Sequence, residues 1–163
     1  PIFLGTVNGG GGHDALVFNT IADQTATLAT AKILNFEDIV ANGPGNLAIS
    51  GNGTFQTIAV DEGDLTVAAG STITANQTSF GAADNVLTLS SGASLSGAID
   101  GGAGTDRLVL NQAANTVRKL SSVNVTGFEQ LESGDAGELI IDRDASFDVV
   151  DRSEEHTSEL QSH

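Results

Sequence analysis

The sequence predicts an all-β chain wound as a parallel β-helix, a solenoid that forms a fragment of a longer array. Three observations predict it. An internal repeat places the glycine-rich stretch Asn8–Asn19 and the stretch Asp100–Asn111 in one register, with Asp14 and Asp106 92 positions apart. Short apolar runs alternate with small polar residues at period two, and each closes on Gly, Asn, Asp or Ser, as strands do. Finally, aromatic residues make up only 4 % of the chain, with no Trp and no Tyr, so the apolar side chains are mainly Ala, Val, Ile and Leu. Such side chains suit a narrow interior built by stacking.

The repeat extends beyond the glycines without a gap. At the same offset Gly5 meets Gly97, Leu28 meets Leu120, Phe36 meets Phe128 and Glu37 meets Glu129. Gly45, Leu47, Ile49 and Phe55 meet Gly137, Leu139, Ile141 and Phe147. A composition bias scatters matches and does not hold them in one register. Fixed-period self-similarity marks a solenoid, in which each turn contacts only its neighbours. Residues 1–94 form the first unit and 95–151 a second, truncated one.

Along the chain, Leu16-Val17-Phe18 is the first strand, bounded by Gly and Asn. Residues 20–32 are rich in Thr and Ala, with Ile21 and Leu28 as inward candidates; the Thr content and missing caps argue against a helix. Ile33–Val40 leads to the turn Asn42-Gly43-Pro44-Gly45. Leu47–Ile49, Phe55–Val60, Leu65–Val67, Ile73-Thr74, Val86–Leu89 and Leu95 complete the first unit. Strands at this spacing also occur in sandwiches, but a long repeat of small-residue strands fits stacking better. A coil takes roughly 20 residues, so one unit holds about four to five coils. The expected interior is Leu16, Phe36, Leu47, Ile49, Phe55, Ile58, Val67, Ile73, Leu87, Leu89, Leu108, Leu110, Phe128, Leu139, Ile141 and Phe147. Corners need residues that tolerate φ > 0, hence the recurring Gly, Asn and Asp. Each end of the stack leaves an unpaired edge.

Charge narrows the partners. Six basic residues against 21 acidic give −15, which argues against nucleic acid and anionic membrane surfaces. There is no cysteine, so neither a disulfide nor a thiolate metal site is needed. Residues 152–163 resemble a translated sequencing adapter and are expected to be a disordered, non-native tail, since the repeat is lost there. Without the tail's one Arg and three Glu the charge is −13, and His13 is the one remaining histidine.

Gly-Gly-x-Gly-x-Asp-x-Leu occurs at Gly9–Leu16 and Gly101–Leu108. It resembles the nonapeptide of calcium-binding repeats-in-toxin proteins, which makes Asp14 and Asp106 the metal candidates and Ca²⁺ the possible ion. Those sites lie between tandem copies, whereas here the copies are 92 apart; Gly81–Leu87 is a degenerate third relative that is not adjacent in sequence either. One Asp supplies too few oxygens for Ca²⁺, so a corner whose Asp caps backbone N–H groups is the expected role. Gly9–Gly12 lacks the Lys-Ser/Thr and helix of a phosphate cradle. His13 aligns with Thr105 and is expected at the surface. The acid pairs Asp61/Glu62/Asp64 and Asp142/Asp144 are the only hint of glycosidase or lyase chemistry, with Lys32, Arg107, Arg118, Lys119 and Arg143 as possible basic partners. They are expected on solvated turns, and no Ser/His/Asp set can be assembled.

Ile99–Leu110 followed by Val125-Thr126-Gly127-Phe128-Glu129-Gln130-Leu131, with Ile33–Ile39 as the earlier copy, resembles the passenger regions of bacterial autotransporters, the type V secreted proteins of Gram-negative bacteria. The resemblance covers roughly residues 3–151. It implies a right-handed parallel β-helix exported through an outer-membrane β-barrel translocator encoded beyond this segment. It also implies an extracellular, outer-membrane-associated location and a structural or adhesive role, with host-surface or extracellular glycan or protein partners and neighbouring repeats of the same chain. No catalytic residues transfer. The expectation is therefore a non-catalytic surface passenger segment without a cofactor. The alternatives are a calcium-binding repeats-in-toxin β-roll and a carbohydrate-active β-helix enzyme fragment.

Overall fold

The computed structural model describes residues 5–134, 137–142 and 146–152. Strands β1 (Val7–Asn8), β2 (Ala15–Asn19) and β3 (Thr25–Ala29) make the first winding. A 3₁₀ turn, η1 (Thr30–Lys32), leads to β4 (Ile33–Leu34), β5 (Asp38–Asn42) and β6 (Asn46–Ser50). Then follow β7 (Asn52–Val60) with β8 (Leu65–Val67), β9 (Thr72–Phe80) with β10 (Val86–Leu89), and β11 (Ser94–Asp100) with β12 (Arg107–Asn111). β13 (Val117–Lys119), the 3₁₀ turn η2 (Leu120–Ser122), β14 (Val125–Thr126) and β15 (Gln130–Gly134) form the next winding. β16 (Glu138–Ile140) and β17 (Val149–Arg152) begin another. The whole is an all-β solenoid of about six turns.

Among the described residues all the strand pairs are parallel. One sheet has seven strands in the order β17-β15-β12-β10-β8-β6-β3, and a second has six in the order β14-β11-β9-β7-β5-β2. The pairs β1-β4 and β13-β16 form two-stranded sheets on a third side. Windings differ in length. The one that carries Leu47 to Leu65 is shorter than the one that carries Leu108 to Leu131. Both stay close to the expected coil of roughly 20 residues, the low end of solenoid repeats.

Registered pairing lines the interior with ladders of like residues. Ala26, Leu47, Leu65, Leu87, Leu108 and Leu131 stack on one another along the seven-stranded sheet. Ile39, Ile58, Thr78, Ile99 and Val125 do the same on the six-stranded sheet. Period-two alternation points these inward and leaves their neighbours outside. The result is one continuous core that crosses the junction between the two units without a break.

Most of the expected interior is found there. Leu16, Phe36 and Phe147 are only partly buried, packed against the core from its margin. Two expectations fail. Ile21 is 61 % exposed, because it sits in the turn after β2 and not in a strand. Ile141 is 47 % exposed whereas its repeat mate Ile49 is fully buried. Ile49 lies in β6 between β3 and β8, while Ile141 follows β16, which among the described residues pairs with β13 alone. Arg152, expected to open the tail, instead ends β17, where its backbone pairs with Ser133. The expectations for 153–163, and for Arg143 and Asp144, fall outside the described residues.

The 92-residue repeat is three-dimensional, and it is out of phase with the coil. Positive φ recurs at matched positions: Gly10 and Gly102, Gly12 and Gly104, Asp23 and Asn115, Asn35 and Gly127. Yet β2, β5 and β7 belong to the six-stranded sheet, while their equivalents β12, β15 and β17 belong to the seven-stranded one. From β2 the six-stranded sheet runs through β5, β7 and β9 to β11, four windings on, and β12 lies one face further. Each unit thus advances the chain by four windings and one face.

Candidate functional site

The Gly-Asp turns form two corners of the solenoid, each leading into a strand: β2 after Asp14, β12 after Asp106. The same bonds build both. Gly9 N–H donates to Leu34 O and Gly101 N–H to Thr126 O. Gly10 N–H donates to Asn8 Oδ1, and Gly102 N–H to Asp100 Oδ1. The turn must be glycine at Gly9 and Gly101, because a Cβ would strike the carbonyl oxygen of Asn35 or of Gly127 in the next winding.

Each aspartate is tied to a glutamate one winding on. Asp14 N–H donates to Glu37 Oε2 at 2.8 Å, and Asp106 N–H donates to Glu129 Oε2 at 2.8 Å. In return Glu37 N–H donates to Asp14 O and Glu129 N–H to Asp106 O, both at 3.0 Å. The Phe-Glu element and the Gly-Asp turn are therefore two parts of one device, with the same sequence separation in both copies. The sequence carried that signal in the common offset of the two, but the matching of Glu37 with Glu129 did not by itself show what they bind.

The corners differ in what precedes them. β2 is the edge of its sheet, whereas β12 has β10 beneath it. The stretch Gly81–Leu87, which is not adjacent in sequence, is stacked directly on the second corner. Ala103 N–H donates to Gly81 O, Thr105 N–H to Asp84 Oδ1 at 2.8 Å, and Asn85 N–H to Asp106 Oδ1 at 2.8 Å. Asn85 in turn donates from Nδ2 to Gly63 O at 2.7 Å. Asn85 and Asp106 are both fully buried. Burial raises the Asp106 carboxyl above the usual range; the bond from Asn85 N–H opposes this, and the charges of Glu129, Asp84 and Asp100 add to it.

Asp14 and Asp106 thus stand on different faces. Among the described residues no group of three His, Cys, Asp or Glu side chains is placed to hold a metal ion. Asp106 takes part in the corner's hydrogen bonds by its side chain and main chain, and Asp14 by its main chain.

The remaining candidates are dispersed. His13 is exposed and its Nε2 lies 2.6 Å from Asp38 Oδ2, while Thr57 Oγ1 donates to Asp38 Oδ1 at 2.7 Å. The carboxylate stands between the hydroxyl and the imidazole, so the imidazole is not positioned to take the hydroxyl proton. Asp64 Oδ1 accepts Val86 N–H, and Asp142 accepts both the N–H and the Oγ hydroxyl of Ser121. Arg107 Nη1 meets Glu132 at 3.0 Å, and Arg118 Nη2 donates to Ala93 O. An open cleft of 380 Å³ lies where β5, β7 and β9 end, with Asn42, Asp61, Ser79 and Phe80 in its wall and Asp61 as its one ionisable residue. Glycoside hydrolysis needs two facing carboxyl groups.

Comparison with known proteins gives no family model, no curated protein and no solved structure that matches the chain.

Proposed function

We propose that this chain is a non-catalytic segment of a bacterial cell-surface shaft, a passenger of the autotransporter type whose work is to extend and to present. The observation that carries this is the duplication of a corner, with the same main-chain donors bonded in the same way, on a new face of an unbroken core. A solenoid lengthens by such duplication without needing a new core. A strongly acidic surface keeps it soluble and apart from its neighbours. Its partners would be surface glycans or proteins of a host, and it would reach the exterior through an outer-membrane barrel.

The test is display. Residues 1–151 fused ahead of an outer-membrane translocator should appear on Gram-negative cells, accessible to protease and folded by circular dichroism once released. Cells carrying it should then adhere to glycan or matrix-protein surfaces more than cells with the translocator alone. Retention in the periplasm, or display without any gain in adhesion, would defeat the export or the adhesive half respectively.

A further inference from the structure

Asparagine followed by glycine occurs at Asn8-Gly9, Asn42-Gly43 and Asn52-Gly53. Such a pair can react with itself. The glycine nitrogen attacks the asparagine Cγ, and with no Cβ on the glycine nothing hinders its approach. Asn8, Asn42 and Asn52 are all exposed, so access to water does not separate them. Their hydrogen bonds do.

Gly9 N–H donates to Leu34 O at 3.0 Å, and Asn8 Oδ1 is held by Gly10 N–H and Asn35 Nδ2. Gly53 lies inside β7, paired with Ile73 of β9, and Asn52 Oδ1 accepts Thr72 N–H at 3.1 Å. Both pairs are thus fixed by bonds to the next winding. Asn42-Gly43 is not. Asn42 ends β5. Among the described residues Gly43 N–H and Asn42 Oδ1 have no partner, and Asn42 Nδ2 reaches only Asn19 Oδ1, at 3.3 Å. What is bound is the carbonyl of the peptide that joins the two, since Thr20 N–H donates to Asn42 O at 2.8 Å. That bond stabilises the negative charge which the peptide takes on as Gly43 loses its proton. The corner also requires its glycine: Gly43 has a φ of 87°, and an added Cβ would strike Thr20 O.

We propose that Asn42-Gly43 is a self-modifying corner, which converts with age to aspartate and isoaspartate while Asn8 and Asn52 persist. Gly43 N forms a bond to Asn42 Cγ, and the Cγ–Nδ2 bond breaks. Nδ2 leaves as ammonia, taking the proton of Gly43 N–H. Solvent water then opens the cyclic imide at either carbonyl. One opening gives aspartate; the other gives isoaspartate, with an extra main-chain methylene between β5 and β6. The step needs no oxidant and no other catalyst. Either product places a new carboxylate in the wall of the cleft that holds Asp61, which lies on the next winding. Like charges so placed repel, so conversion loosens the joint between β5 and β7.

The experiment ages the purified full chain in warm neutral buffer and follows each Asn-Gly pair by peptide mapping, with isoaspartate detected by enzymatic methylation. The bonds that hold Gly9 and Gly53 must break before attack, so Asn42 should convert faster than Asn8 or Asn52 by about tenfold or more. In concentrated urea the rates should draw together, because the difference lies in the fold. Isoelectric focusing should show an acidic band that grows in the wild type and not in Asn42→Gln, whose longer side chain does not close the ring readily. Conversion of Asn8 or Asn52 at the pace of Asn42, a preference that persists in urea, or no conversion at Asn42 overturns the proposal. So does an acidic band that grows unchanged in Asn42→Gln. Should Asn42→Gln not fold, the site-resolved rates of the wild type, folded and in urea, decide the question alone.

Discussion

Glu129 Oε2 accepts the main-chain N–H of Asp106 at 2.8 Å, joining two successive windings. A charged acceptor makes a stronger bond than a neutral one, and losing it strands a backbone donor. Glu129→Ala should therefore cost about 1–3 kcal/mol in urea unfolding, and Glu129→Gln, which keeps an oxygen in place, less. Glu37→Ala removes the equivalent bond to Asp14. It should cost less than Glu129→Ala, because β2 is an edge strand and frays more readily.

Thr78 breaks a ladder. It is fully buried between Ile58 and Ile99, and its hydroxyl has no partner among the described residues. Thr78→Val keeps the branched shape and removes the stranded group. It should stabilise the protein by about 1 kcal/mol, read as a rise in the urea midpoint at unchanged slope.

Gly97 sits where the pairing of β11 with β9 slips by one residue. Its φ is 109°, and an added Cβ would collide with the carbonyl oxygen of Ala75. Gly97→Ala should destabilise by about 1–3 kcal/mol from backbone strain alone, and by more once the collision is included. A melt shows it directly; an unchanged midpoint would mean that the two strands can part at no expense.

Asp38 responds to pH in the opposite sense to Asp106. The Thr57 hydroxyl, with His13 as a lesser influence, holds its carboxyl below the usual range against a modest effect of burial. Such a group contributes stability above its unfolded value, and that contribution is lost as pH falls through the depressed folded value. Thr57→Val should move the Asp38 pKa upward in an NMR titration. The stability gap between wild type and variant should narrow across about pH 5 to 2.

How far the sequence foretold this structure depends on which residues are asked. Leu47, Leu87 and Leu108 announce their burial through alternation, since a strand has only two sides and Gly or Asn marks where each ends. The repeat announced stacking. Ile21 and Ile141 misled, because an apolar residue in a turn or at an end looks like one in a strand until its neighbours are known. The corner was half visible: Asp14 and Asp106 stood out, but the partners Glu37 and Glu129 lie a winding away. Asn85 lay in a stretch already marked as a relative of the turn, but its pairing with Asp106 stayed hidden because the windings are unequal in length, and no fixed spacing points from one to the other.

The mismatch between unit and coil has a mechanical outcome. In an array of such units every feature of one would reappear a third of a revolution round the axis in the next, like the stripe on a barber's pole. A grip offered by one unit would then be offered in all directions after three, whichever way the shaft had rolled.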